Sequence, residues 1–274
     1  MTATIPGGDS PDRNRLDGRT VLVTGGSGFL GRQWISALLR AGAVVINVDL
    51  AEPDNSGLEG RLTHEKVDIT DPEAVQELAR RFSGDGITVD ALVNNAAVDA
   101  PVGASGLAAP ERFETLSVER WQAEVAVGLT GAFLCCQAFG PAMAARGHGV
   151  IVNVGSDLGL IGPDQRLYRL DGIADDQQPV KPVTYSVIKS GLIGLTRYLA
   201  TYWGDRNVRA NVLCLGGVER DQEPAFQHRV SERIPLGRMA RQDEYGDAMV
   251  FLCSDASSYM TGSCLVLDGG RTTW

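Results

Sequence analysis

Three observations predict an α/β fold with helices on both faces of a parallel sheet. Short apolar runs alternate with helix-periodic segments along almost the whole chain. The first run passes directly into a glycine-rich turn, Thr24-Gly25-Gly26-Ser27-Gly28-Phe29-Leu30-Gly31, and from there into a helical pattern. No repeat, low-complexity tract or linker follows residue 18, so residues 18–274 read as one domain.

Residues 1–17 are polar, rich in Gly, Pro and Asp, and read as a flexible leader. Thr20–Thr24 is a strand by its β-branched content, and Phe29–Arg40 is a helix by its apolar spacing. Ala43–Asp49 is the second strand and Lys66–Asp68 a short third one. Asp71 followed by Pro72 is a helix-start signal, because aspartate caps free N–H groups and proline tolerates the first helical position; the helix runs Pro72–Phe82. Val89–Asn94 is a strand, Glu119–Ala145 a long helix and Val150–Val154 a strand. Then come a helix over Thr184–Trp203, a strand over Val208–Leu213, a helix over Gln242–Leu252 and a last strand over Cys264–Leu267. The 26 residues 157–182 break this rhythm, and so long a loop within one domain points to a functional insertion.

Composition narrows the partners. With 274 residues, 43% hydrophobic and 22% charged, the chain can bury a full core, which excludes disorder, collagen and coiled coil as overall classes. Its 25 basic and 34 acidic residues leave a net charge of −9, which repels nucleic acid and anionic membrane. The five cysteines, at 135, 136, 214, 253 and 264, lack metal-ligand spacing and read as buried thiols of a reducing compartment. There is no apolar signal core and no run of about 18 apolar residues, so the expectation is a cytoplasmic protein without a membrane partner. His64, His148 and His228 are scattered, and no metal site is expected. Trp34 and Trp121 fall on apolar helical faces and read as packing residues.

The glycine turn has the chemistry of a dinucleotide site. Glycine lets backbone approach a pyrophosphate, whose charge is favoured by the N–H groups at a helix start. The second strand ends Val48-Asp49-Leu50, with Asp49 18 positions beyond Gly31. A carboxylate there accepts hydrogen bonds from ribose hydroxyls and repels a 2′-phosphate, which favours NAD(H) over NADP(H). Asp68-Ile69 and Asn94-Asn95-Ala96-Ala97 end the next two strands, where an open sheet places its ligand. An aspartate and an isoleucine suit an adenine ring; Asn95 and small alanines leave room for backbone to pass the cofactor.

In Tyr185-Ser186-Val187-Ile188-Lys189, the tyrosine and lysine share one helix face. An ammonium beside a phenol favours the phenolate, which can then exchange a proton with a carbinol or carbonyl oxygen. Ser156 ends the preceding strand and offers a hydroxyl at the same edge of the sheet.

The ordered set Thr24–Gly31, Asp49, Asp68, Asn94–Ala97, Ser156, Tyr185 and Lys189 resembles the short-chain dehydrogenase/reductase family. The tail agrees, through Ile234-Pro235-Leu236-Gly237-Arg238 and Leu267-Asp268-Gly269-Gly270. The resemblance implies a single-domain, doubly wound Rossmann sheet of about seven strands. It also implies interconversion of an alcohol and a ketone with NAD(P), which Asp49 narrows to NAD, and assembly as a homotetramer or homodimer through the long helices. It assigns Tyr185 as general acid/base and Lys189 as binder of the nicotinamide ribose and activator of the phenol. Ser156 would hold the substrate oxygen. Cofactor contacts would come from Gly25, Ser27, Gly28, Phe29, Leu30, Gly31, Asp49, Leu50, Asp68, Ile69, Asn95, Ala96, Ala97, Gly216 and Val218, besides Tyr185 and Lys189. Trp274 would dock on a neighbouring subunit.

The chain departs from the family pattern in four places. Phe29 stands where a middle glycine is usual, a form similar to the nucleotide-sugar branch. Gly128 replaces the asparagine that supports a proton-relay water in relatives. Leu215-Gly216-Gly217 replaces a Pro-Gly, and no carboxamide-binding threonine is evident in Val218-Glu219-Arg220. Ser156 and Tyr185 are 29 positions apart, about twice the usual gap. That gap, with Lys181-Pro182-Val183-Thr184-Tyr185 and the ending Asp268-Gly269-Gly270-Arg271-Thr272-Thr273-Trp274, resembles oxidoreductases of bacterial polysaccharide and sugar biosynthesis. The insertion is expected to wall a small, polar sugar, nucleotide-sugar or polyol substrate, using some of Asp164, Arg166, Tyr168 and Arg169. Two other readings are an NAD-using epimerase or dehydratase, from the glycine spacing, and a non-catalytic NAD-binding regulator, from Gly128 and Leu215.

Overall fold

Val21 and Val23 pack on one side of the first strand and Leu22 on the other, and that two-residue period divides the core into two layers. The computed structural model describes residues 12–98, 102–103, 106–107 and 112–274. Its strands, in chain order, are β1 (Thr20–Thr24), β2 (Val44–Val48), β3 (Arg61–Glu65), β4 (Ala91–Asn94), β5 (Val102–Gly103), β6 (Gly106–Leu107), β7 (Gly149–Ser156), β8 (Val208–Leu215) and β9 (Cys264–Leu267). Seven form one sheet in the order β3-β2-β1-β4-β7-β8-β9, every pair parallel, while β5 and β6 make a separate antiparallel pair.

The helices are α1 (Phe29–Arg40), α2 (Pro72–Gly84), α3 (Val118–Val125), α4 (Gly131–Arg146), α5 (Val183–Tyr202), α6 (Pro224–Ser231) and α7 (Gly246–Cys253). On one face, Trp34, Ile35 and Leu38 of α1 and Met249 and Leu252 of α7 cover Val21, Val23 and Val45. On the other, Phe82 of α2, Phe139 and Met143 of α4 and Leu199 of α5 cover Leu22, Ile46, Leu92 and Ile151. Each such fully buried aliphatic side chain contributes about 1.5–3 kcal/mol. The strand order reverses between β1 and β4, which opens a crevice beyond their carboxyl ends.

The doubly wound sheet of seven strands agrees with expectation, and three details correct it. The third strand is Arg61–Glu65 rather than Lys66–Asp68, paired from Val44↔Arg61 to Val48↔Glu65. Its polar residues suit a sheet edge and carry no apolar signal. Leu16 is fully buried with its N–H on the Ala41 carbonyl at 2.8 Å, and Arg13 donates to the Asp255 carbonyl. Of the expected leader, Leu16 is therefore packed and Arg13 is tied down, while residues 12–15 and 17 are exposed and residues 1–11 lie outside the described residues. Helix α6 replaces what reads as irregular sequence, because Phe226 and Val230 bury against Leu167 of the insertion.

The long helix expected over 119–145 spans Val118–Arg146, with a wider π turn at Ala126–Thr130 joining α3 to α4. Contrary to the expected lack of any such run, this helix is long and apolar enough to cross a membrane by composition alone. Its apolar residues Cys135, Cys136, Phe139 and Met143 are spent on the core. All five cysteines are free, four of them buried; burial pushes the Cys136 and Cys253 thiols up to about 12, which leaves them protonated.

Candidate active site

The glycine turn is shaped by backbone contact. Gly25 adopts φ +65°, and a Cβ there would lie 2.7 Å from the Ala96 Cα; at Gly31 a Cβ would lie 2.2 Å from the Gly25 carbonyl oxygen. Side chains at these positions would collide with the backbone at Ala96 and with the turn itself, so the turn closes only on glycine. Gly28 caps α1 without a side-chain acceptor, so the first N–H groups of that helix remain for a ligand.

The end of β4 braces this turn. The Thr24 hydroxyl accepts the N–H groups of Asn95 (3.1 Å) and Ala96 (3.2 Å). The Asn95 amide donates to the carbonyls of Thr24 and Gly25 and accepts the Trp34 indole N–H at 2.8 Å. Trp34, expected as packing, thus also ties α1 to β4. Beyond β2, the Asp49 carboxylate accepts the Ser27 N–H (3.0 Å) and the Ala51 N–H (3.1 Å), and Asp68 accepts the N–H and hydroxyl of Thr70.

A cleft of about 840 Å³ runs along these strand ends. Every residue expected from the sequence to bind the cofactor or act in catalysis lines it: the turn from Gly25 through Ser27, Gly28, Phe29, Leu30 and Gly31; Asp49 and Leu50; Asp68 and Ile69; Asn95 to Ala97; and Ser156, Tyr185, Lys189, Gly216 and Val218. Phe29, in place of the usual glycine, supports the Arg220 guanidinium 4.5 Å above its ring, and Arg220 lines the same cleft. At Gly216 a Cβ would lie 2.8 Å from the Asp268 Cα, which is why glycine persists there. The residues fit a dinucleotide: a Cβ-free cradle at a helix N-terminus and a carboxylate at the end of β2.

At the other end, Lys189 is 7% exposed and donates from Nζ to the Val154 carbonyl at 2.7 Å. Its Nζ stands 5.6 Å from the Tyr185 ring centroid. The Ser156 hydroxyl donates to Asp157 Oδ1 at 2.8 Å and accepts the Leu158 N–H. Asp157 is buried, and its Oδ2 meets Arg271 Nη1 at 3.0 Å. Burial raises this carboxyl above the usual carboxylate range, and the Arg271 guanidinium opposes the rise.

Sequence reading gave no site role to Asp157, Arg271, Glu124 or Lys181, although Lys181 and Arg271 lie in segments that carry the resemblance. Asp157 adjoins Ser156, which is a signal of place but not of burial. Glu124 of α3 is 7% exposed, accepts Arg120 Nε at 2.8 Å and the Thr184 hydroxyl, and borders a cavity of about 20 Å³ against Tyr185 and Lys189. Gly128 lies in the π turn, where a Cβ would come 2.8 Å from Ile188 Cγ2; the asparagine of relatives would need Ile188 to move.

Of the four insertion residues expected to face the site, Tyr168 does so and the other three do not. Leu167 and Tyr168 line the cleft, and Tyr168 packs on Phe226 at 5.5 Å between centroids. Asp164, Arg166 and Arg169 do not line it: Asp164 pairs with Arg166 (2.8 Å) and Arg233 (3.5 Å), and Arg169 with Asp175. Opposite charges so close in sequence satisfy one another.

Comparison with known proteins places this geometry in context. A short chain dehydrogenase model matches residues 19–168, and an enoyl-(acyl carrier protein) reductase model matches residues 173–272. The chain is 33% identical over 270 residues to a D-threitol dehydrogenase of Mycolicibacterium smegmatis, covering 94% of each. A crystal structure of a short chain dehydrogenase from Leptospira borgpetersenii with bound NAD+ superposes with TM-score 0.84 at 28% identity, covering 99% of this chain and 98% of that one. A gluconate 5-dehydrogenase from Burkholderia cenocepacia in complex with NADP and tartrate gives TM-score 0.80 at 27% identity, covering 96% and 98%.

Proposed function

The chain belongs to the short-chain dehydrogenase/reductase family, and from that premise we propose that it interconverts a secondary alcohol and a ketone on a polyol or sugar-like substrate with NAD(H) as cofactor. The observation that carries this reading is the convergence of Tyr185, Lys189 and Ser156 on the cleft that also holds the glycine turn and Asp49. D-Threitol, the substrate named for one relative, and gluconate, named for another, are both polyhydroxylated.

The glycine turn and the start of α1 would hold the pyrophosphate; Asp49 would hold the adenine ribose; Ile69 and Leu50 would flank the adenine. When bound, the cofactor supplies a hydride acceptor or donor at the substrate carbon. Asp49 supports NAD over NADP, because the Ser27 and Ala51 N–H groups fix its carboxylate at the end of β2, where it can accept ribose hydroxyls and its charge repels a 2′-phosphate. Tyr185 takes the proton from the substrate hydroxyl, or returns it to the carbonyl. Ser156 orients that oxygen, its own hydroxyl steadied by Asp157. Lys189, anchored on Val154, favours the phenolate. Exposed Phe133 on α4 and Tyr198 and Tyr202 on α5 support assembly through the long helices.

The test is NADH formation, followed by absorbance, when purified protein is given NAD+ and a panel of tetritols, pentitols, hexitols and sugar acids. The proposal expects steady NADH production from at least one member, with NADP+ markedly poorer. No net redox change across the panel would refute it.

A further inference from the structure

A second lysine faces the tyrosine of the proposed reaction. Lys181 is only 9% exposed, and its Nζ lies 3.8 Å from the Tyr185 ring centroid, closer than the 5.6 Å of Lys189. It lines both the main cleft and the small cavity behind Tyr185.

Its place is set by the insertion. Pro182 follows it, and a residue before proline is held out of the helical region, so Lys181 stays outside α5, which begins at Val183. The Gln165 side chain clamps the backbone of Lys181 from both sides: Oε1 accepts its N–H at 2.8 Å, and Nε2 donates to its carbonyl at 3.2 Å. Gln165 belongs to a single helical turn, Gln165–Tyr168, whose Leu167 is buried against α6. The long gap between Ser156 and Tyr185 therefore does more than wall the substrate: it delivers an ammonium to the face of the reactive phenol.

We propose that Lys181, positioned by Gln165, is a second cation of the proton-transfer site and stabilises the Tyr185 phenolate together with Lys189. The inference rests on the reading of Tyr185 as the general acid/base. A cation over an aromatic face is attracted by the ring, and much more strongly once the ring carries a negative charge. Among the described residues, the carboxylates to weigh against the two lysines are Glu124 and Asp157, each with a cationic partner of its own. Glu124 of α3, across the small cavity, opposes the phenolate but is shared with Arg120 and Thr184. Asp157, beyond β7, is paired with Arg271.

The experiment is the pH profile of kcat/KM for polyol oxidation in Lys181→Met, Lys181→Gln and Lys181→Arg, beside wild type and Tyr185→Phe. Loss of the cation shifts the acidic limb upward by about one pH unit in the Met and Gln variants, whereas Arg keeps it near wild type. NADH affinity stays unchanged in all three. If Lys181→Met does not fold, Lys181→Gln and Gln165→Ala carry the test, the latter with a smaller shift in the same direction. A limb that stays in place while kcat/KM falls equally at every pH makes Lys181 merely structural and overturns the inference. If Tyr185→Phe turns over normally, the failure lies instead in the reading of the tyrosine.

Discussion

Replacing Arg271 with methionine tests the buried pair behind the serine. The Asp157 and Arg271 side chains are only 3% and 10% exposed, and they meet at 3.0 Å. Without the guanidinium, Asp157 Oδ2 loses its cation, while Oδ1 keeps the Ser156 hydroxyl and the Leu158 N–H. Breaking one side of such a pair costs about 3–5 kcal/mol, because a buried charge is left uncompensated. Protonation offers Asp157 an escape. Its folded pKa already stands above its ordinary value through burial, so its contribution to stability is present at acid pH and is lost as pH rises through the folded value. The deficit of Arg271→Met therefore grows from acid to alkaline pH. Urea unfolding at pH 8 should show a loss of about 3 kcal/mol, shrinking at pH 5, and Asp157→Asn with Arg271→Met should recover most of it. A loss under about 1 kcal/mol at pH 8, or a double variant no better than the single one, would refute the reasoning.

Two further outcomes follow from single carboxylates. Asp49→Ser should weaken NADH binding by roughly 10- to 100-fold and improve NADPH binding, as charge-assisted hydrogen bonds to ribose hydroxyls are lost along with the repulsion of phosphate. Fluorescence titration measures both, and equal weakening of the two cofactors would count against the role given to Asp49. The Glu244 carboxyl is held down to about 2, first by the Arg238 side chain and then by the Arg241 N–H. Because its folded value lies below its ordinary one, its stabilisation is present at neutral pH and disappears as pH falls towards 2. Glu244→Gln should flatten the acid side of a Tm-against-pH curve, and an unchanged slope would contradict this.

The cofactor half of the site was legible because its signals are local. The glycine turn, Asp49 and the asparagine-alanine end of β4 each sit at the close of an apolar run, and the sheet brings those ends together. Tyr185 and Lys189 were legible for the same reason, through helix spacing. Burial of charge was not. Nothing local marks Asp157 and Arg271, 114 positions apart, as a buried pair. Lys181 belongs to a segment that carries the resemblance, but its place against Tyr185 shows only once Gln165 and Pro182 fix its backbone. The insertion was legible only in part: Tyr168 faces the cleft as expected, but the charged residues named with it neutralise one another, and Leu167, whose place depends on α6, joins Tyr168 instead. The edge strand β3 escaped because a polar strand has no apolar period.

The account stands most directly on Tyr185→Phe, which removes one hydroxyl and leaves the ring and both neighbouring lysines in place. NADH affinity should match wild type, while turnover of the best polyol substrate falls by about 10²–10⁴-fold at every pH. Turnover within a few-fold of wild type would show that the proton moves through another group and would contradict the proposed chemistry.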